Sequence, residues 1–322
     1  MVGLGCGYFW ADSILAVYTV GIKPSASPAH SVPPEHGALV DIREVGPRDG
    51  LQSERPLTVR ERAGFVEQLI KSGIRHIEVA SFMRDDVVPS MAGAEELIAL
   101  INRTQQLTLT GLVANLTGVR RALECDLNEI TITISLSETY SQKNTGKSAV
   151  KSLLDVESLI HAIDQRAKTD VVISCAFGSP YNDVVMETEL VPCVQQLQSF
   201  GCDQVTLADT TGEATPRLIR RALQLVGNDV GLHLHETRGT GLLNAFVGLE
   251  SGVRRFDTSV GGIGGSPFAH GAAGNVATEA FVSLLEDHDY STGVNISSLL
   301  EVAKMLPQMI GHRVPSVLAN RS

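Results

Sequence analysis

From Leu39 onward the chain repeats one unit: a short run rich in β-branched residues, then a longer amphipathic stretch. The short runs fall at 39–45, 76–81, 107–114, 129–135, 171–176, 204–208, 230–235 and 255–260. Helical stretches follow each of them, among them 59–72, 184–200, 216–226 and 240–251. Val, Ile and Thr are stiff about their first side-chain torsion and suit strands, whereas the longer stretches carry the 3.6-residue apolar period of a helix. A strand joined through a helix to the next strand must lie parallel to it. Eight such units in about 250 residues predict an α/β fold, a closed (β/α)8 TIM barrel. No G-x-G-x-x-G follows the first run, which disfavours an open dinucleotide-binding sheet. One more helix, at 296–309, extends beyond the eighth unit, and no break in composition divides 39–310. Residues 38–322 therefore read as a single domain.

Residues 1–37 do not share the pattern. An apolar stretch at 8–22 leads into a Pro-, Ser- and His-containing stretch, with no basic segment ahead of it and no Arg before Arg43. An ordinary secretory signal or mitochondrial presequence is therefore not expected, and the segment reads as an irregular N-terminal extension, either flexible or an accessory arm over the barrel. No uncharged apolar run of 18 residues occurs after residue 38, so no membrane span is expected there. The net charge of -10 argues against a nucleic-acid partner, because phosphate backbones demand clustered Lys and Arg. The five cysteines form no C-x-x-C pair, which disfavours disulfides and zinc–thiolate sites and makes the reducing cytoplasm the expected setting.

Barrels of this kind carry their active sites at the C-terminal ends of the strands. The first run ends in Glu44-Val45-Gly46-Pro47-Arg48-Asp49-Gly50-Leu51-Gln52. The seventh ends in His233-Leu234-His235-Glu236-Thr237-Arg238-Gly239. After the eighth come Gly261-Gly262-Ile263-Gly264-Gly265-Ser266 and then Gly274-Asn275. Residues two apart on a strand share a face, so His233 and His235 point the same way, either as packed histidines or as one side of a metal site. In a closed barrel only the eighth strand separates the seventh from the first, which brings Asp49 within reach. One carboxylate and two imidazoles suit Mg2+, Mn2+ or another divalent ion with positions open to substrate oxygens; ligand types alone do not exclude zinc. The glycines at 261–265 either make a tight turn or let the backbone approach a substrate closely.

Taken together, these segments resemble the 3-hydroxy-3-methylglutaryl-CoA lyases, a family of DRE-type metallolyase barrels. Also matching are Ile77-Glu78-Val79-Ala80-Ser81-Phe82, Ser174-Cys175-Ala176-Phe177-Gly178-Ser179-Pro180-Tyr181 and the 208–216 segment. The resemblance spans about residues 40–310 and implies an enzyme that cleaves a 3-hydroxy-3-methyl-acyl-CoA to acetyl-CoA and acetoacetate. It implies Asp49, His233, His235 and Asn275 as metal ligands and Mg2+ or Mn2+ as the cofactor. Arg48 is implied on the thioester carbonyl, with Glu78 and Asp209 in the polar network of the site; Asp49 is a candidate base. Each has a plainer role: Glu78 and Asp209 bonding loop amides, Arg48 in an ion pair with Glu44 or Glu78, Asn275 capping a helix. Gln52, Arg238, Gly264, Gly265 and Lys143 are candidate substrate contacts. Lys143 lies on the 140–147 segment, read as a loop facing the CoA phosphates or the solvent. A homodimer is the family expectation.

The chain departs from the family at Ser266, where the lyases ordinarily place a cysteine that protonates the enolate. A serine hydroxyl is a far weaker acid than a thiol, so water, His270 or another group would have to take over. Glu236 and Arg238 also depart, and an added arginine suits a nearer carboxylate, as in citramalyl-CoA, whose cleavage gives acetyl-CoA and pyruvate. Two further functions compete. Claisen condensing synthases share the barrel but carry H-x-H-N-D and a longer C-terminal region, and a non-catalytic acyl-CoA-binding barrel is supported only by loss of the loop cysteine.

Overall fold

The computed structural model describes residues 39–181, 183–265, 269, 271 and 273–321. The N-terminal extension expected at 1–37 lies outside the described residues. Eight strands pair in chain order and in parallel: β1 (Asp41–Glu44), β2 (His76–Ser81), β3 (Thr108–Val113), β4 (Glu129–Ser135), β5 (Lys168–Ser174), β6 (Gln204–Ala208), β7 (Gly231–His233) and β8 (Arg255–Thr258). β8 returns to β1 with Arg43 opposite Asp257 and Glu44 opposite Thr258, closing the barrel.

Helices α1 (Val59–Lys71), α2 (Ala94–Leu100), α3 (Leu116–Glu124), α4 (Glu138–Thr145), α5 (Ala149–Ile163), α6 (Leu190–Ser199), α7 (Pro216–Val226), α8 (Gly241–Glu250), α9 (Thr278–Asp287) and α10 (Ile296–Ile310) account for the described α-helices. Local chemistry sets their ends. Thr58 and Glu61 form a reciprocal capping box at α1, and Thr215 caps α7 ahead of Pro216, whose missing N–H is no loss in a first turn. α7 buries Ile219, Ala222 and Leu223 and exposes Arg217, Arg220 and Arg221. No helix among the described residues is long and apolar enough to cross a membrane.

Three sequence expectations need correction. The helix expected from residue 184 starts at Leu190, after a 3-10 turn at Glu187–Glu189. Pro192 explains this, because a proline is tolerated only in a first turn, and Val184 and Met186 are left exposed. The 140–147 segment is largely helical rather than a loop. Ser137 accepts the Tyr140 amide at the start of α4, and Gly146 ends it in the left-handed region. The fifth strand also lies earlier than its expected 171–176 span.

The barrel interior is ionic as well as apolar. Arg43 is 1% exposed, and its guanidinium reaches Asp257 at 2.6 Å, Asp170 at 2.7 Å and Glu129 at 3.3 Å. This layer lies directly beneath the C-terminal mouth, where the candidate site forms.

Candidate metal centre and active site

The turn after β1 carries the first functional pair. The Val45 carbonyl accepts the amides of Arg48, Asp49 and Gly50, at 3.1, 2.7 and 3.1 Å, in a π-helical turn spanning Gly46–Gly50. Such widened turns leave carbonyls and side chains out of the regular helical ladder and recur at functional sites. Here the turn directs Arg48 and Asp49 to the mouth of the barrel.

Glu44 fixes the turn to its neighbour. Its fully buried carboxylate accepts the amide of Gly46 at 2.8 Å and that of Val260, after β8, at 3.0 Å. Burial pushes the Glu44 carboxyl up to about 7 against the pull of the Thr278 hydroxyl and those amides. Glu279, also buried, accepts the amide of Gly261 at 3.1 Å. Two buried glutamates thus hold the β8 loop.

Three expected ligands converge. One ligand atom each from Asp49, His233 and His235 lies within 4.8 Å of the others. His233 ends β7, and His235 follows in an isolated antiparallel bridge with Asn275. Their Nε2 atoms face one another at 3.0 Å. His233 Nδ1 lies 3.1 Å from Asp257 Oδ2, and His235 Nδ1 lies 2.9 Å from the Ala273 carbonyl. These acceptors put the proton of each neutral ring on Nδ1 and leave both Nε2 lone pairs directed into the site. Asn275 donates Nδ2 to Asp49 at 2.7 Å and to the Ile263 carbonyl at 3.0 Å, while its buried Oδ1 has no partner. The helix-cap alternative for Asn275 fails, because Ala277 occupies the cap of α9. A carboxylate, two inward lone pairs and an orphaned amide oxygen form a donor set that fits a divalent cation.

The electrostatics agree. Burial works to raise the Asp49 carboxyl, but Arg48, His233 and His235 hold it below its usual range. Burial and His233 drive His235 down to about 4, whereas Asp257 holds His233 up against burial.

Arg48 pairs with Glu78 at 2.5 Å and with Asp49 at 3.0 Å, not with Glu44. Glu78 is fully buried on β2, and its second oxygen, Oε1, has no partner. Asp209, just after β6, accepts the amides of Glu213 at 3.2 Å and Ala214 at 3.0 Å, so its loop-bonding role is real. Burial nevertheless pushes its carboxyl up to about 6.

The expected substrate contacts are more dispersed. Gly264, at φ +108°, packs so tightly that an added Cβ would lie 2.4 Å from Asn275 Nδ2 and 2.9 Å from Asp49 Oδ2. The Gly265 carbonyl accepts the Ser53 hydroxyl at 3.2 Å, and the Gln52 carbonyl accepts that of Ser90 at 2.6 Å. Arg238 is exposed and reaches the Glu213 carbonyl at 3.4 Å. Glu236 accepts the first amides of α8, those of Gly241 and Leu242, at 3.0 and 2.7 Å. Lys143 lies exposed on α4 with its ammonium 5.3 Å from the Tyr181 ring centroid, and Lys147 pairs with Asp155 at 2.7 Å. Ser266 and His270 lie outside the described residues.

Sequence reasoning missed Arg43, Asp257 and Glu279 and did not single out Glu44. The signal was present for Arg43 and Asp257: each sits beside a buried apolar residue inside a barrel strand, where an isolated charge needs a partner within the barrel.

Comparison with known proteins places this geometry among relatives. The family model HMGL-like matches residues 39–306. The hydroxymethylglutaryl-CoA lyase YngG of Bacillus subtilis is 36% identical over 285 residues, covering 86% of this chain and 95% of that protein. The 3-hydroxy-3-isohexenylglutaryl-CoA/hydroxymethylglutaryl-CoA lyase of Pseudomonas aeruginosa is 36% identical over 279 residues, 84% of this chain and 93% of the relative. Among solved structures, an HMG-CoA lyase from Acinetobacter baumannii in complex with coenzyme A and 3-methylmalate superposes with a TM-score of 0.83 at 33% identity, covering 88% of this chain and 95% of that one.

Proposed function

The chain belongs to the HMGL-like family, and from that membership we propose that it is a metal-dependent carbon–carbon lyase. Its substrate is a 3-hydroxy-3-methyl-acyl-CoA, hydroxymethylglutaryl-CoA first among them, and its products are acetyl-CoA and acetoacetate. One observation carries this reading: Asp49, His233 and His235 gather within 4.8 Å beside Arg48, which is paired with the buried Glu78. The catalytic set is Arg48, Asp49, Glu78, Asp209, His233 and Ser266. Residues 38–322 act as one lyase domain.

Asp49, His233, His235 and Asn275 would hold Mg2+ or Mn2+, which supplies Lewis acidity that lowers the pKa of the substrate's tertiary hydroxyl. Asp49, gathered with the two histidines, is the candidate base for the hydroxyl proton, and Asp209, whose buried carboxyl is pushed up to about 6, is kept in the catalytic set as the carboxylate that follows β6. The carbinol carbon becomes a ketone as the C–C bond breaks, and the electron pair moves onto the thioester as an enolate. The Arg48 guanidinium, fixed by Glu78, faces the developing negative oxygen and stabilises it. A proton delivered to the enolate carbon completes acetyl-CoA. Gln52, Gly264, Gly265, Arg238 and Lys143 contact the acyl-CoA in this reading. The free thiols of Cys125, Cys175, Cys193 and Cys202 suit a cytoplasmic setting, and a homodimer is the assembly proposed.

Supplying the Mn2+-loaded protein with hydroxymethylglutaryl-CoA and with each enantiomer of citramalyl-CoA, and identifying the keto acid by mass spectrometry, tests the substrate. Acetoacetate is the expected product. Pyruvate instead would reassign the substrate to citramalyl-CoA and direct attention to Arg238. No cleavage of any of them would overturn these substrate assignments and move weight to a different acyl chain or a binding role.

A further inference from the structure

Asp257 sits at a junction. On β8 its Cα is the register partner of Arg43 on β1 and of His233 on β7. It is 3% exposed, and its Oδ2 lies 3.1 Å from His233 Nδ1. Arg43 grips the same carboxylate with two bonds, Nε to Oδ1 at 2.8 Å and a terminal nitrogen to Oδ2 at 2.6 Å. Arg43 is itself tied to Asp170 at 2.7 Å and to the Thr131 hydroxyl at 3.2 Å, so the fork cannot turn without breaking bonds on two further strands. A planar guanidinium holding a carboxylate through two bonds fixes its plane as well as its place.

Stability alone does not call for this arrangement. Well-packed apolar residues commonly replace a buried ion pair with no loss of stability. The layer does, however, decide which nitrogen of His233 carries the proton and where the other one points. We propose that Asp257, locked by Arg43, is the positioning residue that aims His233 Nε2 at the metal. This inference rests on the metal-centre reading above.

The test is a Mn2+ titration of the metal-stripped protein, with free Mn2+ read by electron paramagnetic resonance. The proteins compared are the wild type, Asp257→Asn and Arg43→Lys. Asp257→Asn keeps the shape but loses the charge, and its Mn2+ affinity is expected to fall about 10- to 100-fold. Lyase turnover should return as Mn2+ is raised, with the KM for the acyl-CoA at saturating metal unchanged. Arg43→Lys keeps the cation but loses the fork, and a smaller loss in the same direction is expected; it decides the matter if Asp257→Asn does not fold. A merely structural role would lower the melting temperature and leave the affinity of the folded protein intact. Folded variants that bind Mn2+ like the wild type would overturn the inference. A wild type that binds no Mn2+ would overturn the metal-centre reading and this inference with it.

Discussion

His233 Nε2 and His235 Nε2 face each other at 3.0 Å, while an oxygen holds the far nitrogen of each ring. Two lone pairs at that distance repel unless a proton or a cation lies between them. A metal that binds only the folded state stabilises it by mass action, about 2.7 kcal/mol when free metal is a hundredfold above its Kd. Mn2+ is therefore expected to raise the melting temperature by several degrees and a chelator to reverse the shift. His235→Ala should abolish the Mn2+-dependent shift. Thermal melts with and without metal check both; an unchanged shift in the variant would contradict the assignment.

Gly264→Ala is expected to disable the site while leaving the barrel folded. The new methyl would lie 2.4 Å from Asn275 Nδ2, at a backbone angle of φ +108° that side-chain-bearing residues rarely adopt. The loop and Asn275 must move apart, so Mn2+ binding and turnover should fall together. Far-ultraviolet circular dichroism with a Mn2+ titration separates this outcome from global unfolding.

Arg48→Lys should lower kcat by about two to three orders of magnitude, the usual cost of losing a transition-state anion donor. The charge survives, but a lysine cannot reach Glu78 and Asp49 together as Arg48 does at 2.5 and 3.0 Å. Steady-state kinetics at saturating metal give the answer. An effect confined to KM would assign Arg48 to ground-state binding instead.

Glu44 predicts a pH dependence of stability. Its carboxyl is raised from 4.5 in the unfolded reference to about 7 in the folded protein, chiefly by burial. The folded state thus holds this proton more tightly than the unfolded chain. The stabilisation is complete below the unfolded value and is lost as pH rises through about 7. Glu44→Gln cannot titrate, but its amide can accept the Gly46 and Val260 amides and donate to Thr278. Urea midpoints at about pH 5 and pH 8 should drop less for the variant than for the wild type. Equal drops would show that Glu44 does not titrate in this window.

Much of this was legible in the sequence. The alternation of β-branched and amphipathic runs predicted every strand of the barrel, because a parallel strand buried on both faces leaves little choice of side chain. The H-x-H spacing and the position of Asp49 predicted that Asp49, His233 and His235 converge, because strand periodicity and strand order are geometric. The roles of Arg43, Asp257 and Glu279 were not legible. Sequence shows a charge in a buried strand but not which distant strand supplies its partner, and Arg43 and Asp257 are 214 residues apart. The helix at Glu138–Thr145 was missed because its ends depend on the Ser137 and Gly146 caps rather than on an apolar period.

The central claim is metal-dependent cleavage of a C–C bond, and one measurement tests it most directly. Metal-stripped protein is given hydroxymethylglutaryl-CoA with and without Mn2+, and acetyl-CoA and acetoacetate are quantified together. The prediction is equal amounts of both products, formed only with metal. Cleavage undiminished without metal, or none with Mn2+ bound, would contradict it.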